Sequence, residues 1–94
     1  MKLMTPITIG GMSLKNRIVM APMGMHLGNY DQRTQAFFGR RAKGGASMLM
    51  CNTLATPEVE GMCPSALLDD DSFEGFRKMV EVAHQYDCKI CVQI

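Results

Sequence analysis

Arg17-Ile18-Val19-Met20-Ala21-Pro22-Met23 is the stretch on which the fold turns. After its first residue it is continuously apolar rather than alternating, the pattern of a strand covered on both faces. Pro22 has no N–H to give to a central ladder, so the strand ends or bulges there. Upstream, Ile7-Thr8-Ile9 and Met12-Ser13-Leu14 flank Gly10-Gly11, and two glycines supply the positive φ angles that a two-residue hairpin turn requires. Two further apolar runs follow downstream, Ala46–Cys51 and Lys89–Ile94.

Helical patterns separate these runs. Thr34–Lys43 reads as a helix, with Thr34 as N-cap, Phe38 and Ala42 on one face, and Gly44-Gly45 as the stop. Arg40, Arg41 and Lys43 crowd its last turn, where the helix dipole favours cations. Gly39 in its interior costs roughly 1 kcal/mol against Ala. A second helix opens with Asp71 as cap and Glu74 three places on, with Phe73, Phe76, Val80 and Ala83 at helical spacing. Glu74 and Lys78 make a favourably ordered i, i+4 pair on the opposite face. The intervening stretch from about Thr56 to Asp70 is too long for a minimal connection and is expected to cover something. The order is hairpin, strand, helix, strand, helix, strand: an α/β chain built as a βαβαβ series with parallel strands. Two helices for three strands leave the unit unfinished.

The chain has 94 residues, 47% of them hydrophobic and 20% charged, which places it among ordinary globular chains and excludes disordered and low-complexity classes. Ten basic and nine acidic side chains leave a formal charge of +1, so neither nucleic acid nor an anionic membrane is an expected partner. The apolar runs fall far short of the roughly 18 residues of a membrane helix. Pro6, Gly10 and Gly11 interrupt any export signal after Lys2, so a cytoplasmic location and reduced thiols are expected for the four cysteines. Most of the ten methionines lie in apolar runs, where a flexible thioether fills gaps in a core.

In α/β folds sites gather at the carboxyl ends of strands. Those exits carry Pro22-Met23-Gly24, Asn52-Thr53 and Gln93: backbone beside a proline and a glycine, a small hydroxyl, and a neutral amide. A planar heterocycle with alternating donors and acceptors suits such groups, although Gln93 can equally bond a loop. No G-x-G-x-x-G follows a strand and no P-loop is present. Cys88 and Cys91 form a C-x-x-C, but residues three apart on an extended strand point to opposite faces, so no metal site is expected. Asp69-Asp70-Asp71 reads as a solvated loop with one cap, His84 as a helix-surface or packing residue, and Asn16-Arg17, at the opposite end of the strand, as a stabilising element. His26 follows the first parallel strand on the site side and is either solvated or in contact with substrate.

Thr5–Met23 (TPITIGGMSLKNRIVMAPM), Arg40–Gly45 (RRAKGG) and Lys89–Ile94 (KICVQI), in this order, resemble the old yellow enzyme family of FMN-dependent oxidoreductases, including its dienoyl-CoA-reductase-like branch. The resemblance implies a (β/α)8 TIM barrel, of which this chain is the N-terminal portion, with a hairpin under its N-terminal end and FMN at the carboxyl face. It also implies that Ala21, Pro22, Met23 and Gly24 run beside the isoalloxazine through their backbone, that Thr53 approaches from the second parallel strand, and that the Gln93 amide bonds the pyrimidine edge. His26 falls where relatives place a substrate-contacting aromatic residue. Gly24 stands where many relatives have Thr or Cys, so side-chain tuning of the flavin is absent there.

Hydride would pass from NAD(P)H to flavin and on to an activated alkene or enoyl substrate. The proton donor, the substrate-anchoring pair and the phosphate loops are expected beyond residue 94, as is the iron–sulfur cluster of longer members. Three strands of eight, in a barrel of roughly 250 residues, occupy about this length, so the chain is expected to be one partial domain truncated at Ile94. The competing reading is a truncated, non-catalytic module that binds a partner or self-assembles, as a homo-oligomer, through open sheet edges.

Overall fold

Two glycines with φ of 54° and 88°, Gly10 and Gly11, turn the chain between β1 (Ile7–Ile9) and β2 (Met12–Leu14), which pair antiparallel with Ile9 opposite Met12. This is the two-residue turn that the sequence predicts. The structure is a computed structural model that describes residues 2–23, 30–51 and 70–93. Beyond the hairpin it contains β3 (Val19–Met20), α1 (Gln32–Lys43), β4 (Met48–Met50), α2 (Asp70–Gln85) and β5 (Lys89–Cys91). The last three strands form one parallel sheet in the order β3-β4-β5. Val19 lies opposite Met48, and Met48 opposite Lys89. Pro22 falls beyond the end of β3, as its missing donor requires.

The helix ends show where local signals compete. Asp31, not Thr34, caps α1: its carboxylate accepts the backbone N–H of Arg33 at 3.0 Å and of Thr34 at 3.2 Å. Thr34 lies inside the helix and is buried. An ionised carboxylate both satisfies these free donors and meets the positive end of the dipole, an advantage Thr lacks. The Thr34 N–H and the Arg33 side chain hold the Asp31 carboxyl below its ordinary range. The stabilisation from this cap is present above the ordinary aspartate pKa and is lost as pH falls through the lowered one.

At the other end Gly45, with φ 109°, donates to the Ala42 carbonyl while Ala46 donates to that of Arg41, a Schellman stop that needs the left-handed glycine. In α2, Asp71 sits within the first turn rather than capping it. Phe73 is 61% exposed, off the buried stripe of Ser72, Gly75, Met79 and Ala83. Gly75 belongs to that stripe because α2 lies directly against the Tyr30 backbone there. Glu74 and Lys78 stand 4.0 Å apart, but Arg77 takes the stronger share of Glu74, with Nη2 at 2.6 Å and Nε at 2.8 Å. That pairing depresses the Glu74 carboxyl.

Among the described residues the helices pack on one face of the sheet. Ile18, Met20, Leu49, Cys51 and Ile90 meet Phe38, Ala42, Met79 and Ala83 in a single core. Gly39 allows this approach, since a Cβ there would lie 2.9 Å from Val82 Cγ1. The expectation of a strand covered on both faces is therefore corrected for the described residues: Val19 is 39% exposed. By strand alternation Met48, Met50, Lys89 and Cys91 share its face.

The hairpin is tied to the amino end of this sheet. Asn16, buried, donates from Nδ2 to the Gly45 carbonyl at 2.8 Å and accepts the Ile18 N–H at 3.0 Å. Lys15 Nζ donates to the Tyr86 carbonyl at the end of α2. Ser47 completes the junction, its N–H and Oγ both reaching the Ile18 carbonyl. Asn16→Ala leaves the Gly45 carbonyl and the Ile18 N–H, both in a half-buried junction, without this partner. It is expected to lower stability by about 1–3 kcal/mol, read as a lower urea midpoint at unchanged slope.

Candidate functional site

All three parallel strands run the same way, so their carboxyl exits share one end of the sheet, opposite the Asn16 junction. From β3 this end carries Ala21, Pro22 and Met23. Ala21 is exposed, Pro22 half-buried, and Met23 61% exposed. From β5 it carries half-buried Val92 and exposed Gln93. Extending the strand alternation places Ala21, Met23 and Gln93 in register with the bare sheet face. Among the described residues the Gln93 amide makes no hydrogen bond. Gly24, His26 and Thr53 lie outside the described residues, as do Asn52, Cys63 and the stretch that follows, up to residue 69.

The charge pattern matches the position of these groups. Lys89 falls on the same sheet face but at its amino end, where its Nζ stands 3.7 Å from Asp87 Oδ1. The described residues at the carboxyl exits are all uncharged. Backbone groups and one amide can thus read a neutral polar edge without imposing a charge on it. Two surface clefts of the described region lie elsewhere. One of about 400 Å3 runs between Gln35, Gly39 and Val82 on the outer helices, and one of about 430 Å3 follows the open edge of β3 from Ile18 to Met20.

The thiols are poor candidates for chemistry. Burial pushes the Cys51 thiol up to about 12, with a smaller push from neighbouring Cys91, and burial also raises Cys88. Cys88 is fully buried while Cys91 is half-buried. A raised thiol stays protonated and is a weak nucleophile and metal ligand. Among the described residues no three His, Cys, Asp or Glu side chains converge on a common point. No helix of the described region is long and apolar enough to cross a membrane. Cys51 is expected to resist iodoacetamide in the folded protein at pH 8 and to react after denaturation, measured by mass spectrometry. Because its folded pKa exceeds its unfolded one, its contribution to stability is complete below about pH 9 and declines as pH rises toward 12.

One residue escapes the sequence reading. Tyr30, in a stretch that reads only as loop, is 1% exposed and has φ 56°. Its ring stands edge-on to Phe76 with centroids 5.1 Å apart, and its carbonyl accepts Gln35 Nε2 at 2.9 Å. The available signal was Gly75, a glycine on the buried stripe of a helix, which marks close approach by something.

A hairpin followed by parallel βαβαβ, with uncharged groups at the strand exits, defines an α/β chain whose strand exits are the place for a site. Residues 2–94 match the model of the NADH:flavin oxidoreductase / NADH oxidase family, and the chain belongs to that family. It is 33% identical over its full length to a bilirubin reductase of Mediterraneibacter gnavus, of which it spans 15%. It is 34% identical to an NADH oxidase of Thermoanaerobacter brockii, with 92% of the chain and 14% of that protein aligned. An old yellow enzyme from Pichia sp. AKU4542 shares the fold with a TM-score of 0.84 at 24% identity, over 97% of this chain and 25% of that one. The chain thus corresponds to a small part of each relative.

Proposed function

We propose that this chain supplies the first three strands of an FMN-dependent NAD(P)H oxidoreductase of the ene-reductase type, with the flavin seated across the bare end of the sheet. The observation that carries the proposal is the sheet face that no described helix covers, whose carboxyl end presents the Ala21–Met23 backbone and the Gln93 amide at the same end of the sheet. These residues fit an isoalloxazine. The ring needs a flat apolar bed and hydrogen-bonding groups at one polar edge, and a side chain at Ala21 larger than a methyl group would intrude on that bed.

In this reading Ala21, Pro22 and Met23 line the ring through their backbone, Gly24 continues that line, Thr53 approaches from β4, and Gln93 orients the pyrimidine edge. His26 meets the substrate, an activated alkene or enoyl compound. FMN held by these residues would supply hydride transfer from NAD(P)H to the alkene, tuned by the hydrogen bonds they give it. The proton donor comes from outside these residues, and an iron–sulfur cluster belongs only to a longer form. An eight-stranded barrel would supply the second wall that Val19 and Met50 lack.

The test is stopped-flow spectroscopy on the protein expressed from its complete reading frame. NAD(P)H is expected to bleach the visible absorption of the flavin, and a simple enone to restore it anaerobically. Bleaching without recovery by any activated alkene removes the ene-reductase assignment while leaving the flavin site.

A further inference from the structure

We propose that the groove between α1 and α2 docks an acidic amphipathic helix of a partner protein, with its carboxylates on Arg40 and Lys43 and its apolar side chains on Val82 and Tyr86. The groove has a volume of about 400 Å3 and opens to solvent between the two helices. Its apolar part is Ala36, Gly39, Val82 and Tyr86. The helices touch at Gly39, where a Cβ would stand 2.9 Å from Val82 Cγ1. Val82 is half-buried and Tyr86 is 37% exposed, so apolar surface is on offer to a partner. The polar groups on the groove are two amides, Gln32 and Gln35, and the two cations. A third cation stands at its Tyr86 end, where Lys15 Nζ donates to the Tyr86 carbonyl. Among the described residues no carboxylate lines it.

The cations in the last turn of α1 divide into two kinds. Arg41 is used within the chain: its guanidinium carbon lies 3.4 Å from the centre of the Phe37 ring, and Nη1 donates to the Phe37 carbonyl at 2.9 Å. Arg40 and Lys43 are exposed, and among the described residues neither side chain forms an ion pair or a hydrogen bond. The helix end does not need them, because the N–H groups of Gly44, Gly45 and Ala46 already satisfy the carbonyls of Arg40, Ala42 and Arg41. Nearby carboxylates on and after α2 are taken, Glu81 by Arg77 and Asp87 by Lys89. A groove with only positive charge on its rim, beside apolar surface, is complementary to a helix that carries carboxylates beside apolar side chains. Arg40 and Lys43 stand at i, i+3 with Cβ atoms about 5–6 Å apart, which matches two glutamates one turn apart on such a helix. A lipid surface or a DNA duplex has no apolar ridge to enter the floor, and a net charge of +1 gives it little long-range pull.

None of these residues belongs to the strand exits, so the inference stands apart from the flavin reading. The experiment is fluorescence anisotropy on the complete protein, with a fluorescein-labelled helical peptide that carries two glutamates one turn apart and leucines beside them. Wild type is expected to bind it, and to bind more weakly as salt is added. The same peptide with glutamine in place of glutamate is expected to bind about tenfold more weakly. Arg40→Glu combined with Lys43→Glu is expected to raise Kd about tenfold or more, and Tyr86→Ala about threefold. All three side chains are exposed, so the melting temperature should stay close to wild type. The proposal is overturned if wild type does not bind the peptide, if charge reversal leaves Kd unchanged, or if the glutamine peptide binds equally well. It is also overturned if anionic lipid vesicles or a DNA duplex bind through Arg40 and Lys43 more tightly than the peptide does. Self-association in the ultracentrifuge that the charge reversal abolishes would assign the groove to a second copy instead.

Discussion

Replacing Gln93 with Leu in the complete protein is expected to weaken FMN binding by about 5- to 150-fold, the equivalent of about 1–3 kcal/mol for a polar edge left without its partner. The magnitude follows from the position. Gln93 is exposed at the end of β5, and among the described residues its amide makes no hydrogen bond, so nothing in the folded sheet depends on it. The melting temperature of the flavin-free protein should therefore stay close to wild type, as for other surface substitutions. Flavin release followed by fluorescence measures the first effect and thermal denaturation the second. A large loss of stability with unchanged FMN affinity would reassign Gln93 to the scaffold.

Leu49→Ala is expected to have the largest effect on stability, a loss of about 2–5 kcal/mol. Leu49 lies in the central strand with Met20 and Ile90 as its neighbours, and it is fully buried beneath the two helices. Removing its branched end leaves a cavity in the core that it shares with Phe38, Ala42, Met79 and Ala83. Native domains retain only about 5–15 kcal/mol in total, so the variant gives up a large fraction of it. The check is a urea unfolding curve with a lowered midpoint and an unchanged slope. Met50→Ala, on the bare face of the same strand, should cost less in this chain, because Met50 is half-buried rather than sealed.

The features legible in the sequence were those in which one residue type has one physical use. Gly10-Gly11 could only be a positive-φ turn, and Gly45 after a cationic helix end could only be a stop. The β3 exit was legible because Pro22 cannot extend a ladder. The helix starts were not, because Asp31 and Thr34 are both good caps three residues apart, and only tertiary position decides between them. The face of α2 was misread for a related reason. A large aromatic such as Phe73 draws a hydrophobic stripe toward itself, yet the contact face is built from Ser72 and Gly75, whose smallness is what lets α2 approach Tyr30. Bareness of the second sheet face is not a property of any strand's own residues: Val19 and Met50 are as apolar as buried residues, and what covers them is decided by the rest of the fold. Ala21, Pro22, Met23 and Gln93 were legible as site candidates from topology alone, since parallel strands bring their exits together. The burial of Tyr30 was not legible, because it is packed by a helix more than forty residues away.

The FMN content of the protein purified from its complete reading frame tests the central claim most directly. A single site across the β3–β5 exits predicts a yellow protein that releases about one FMN per chain on denaturation. A colourless, folded protein that takes up no FMN when it is supplied would contradict it.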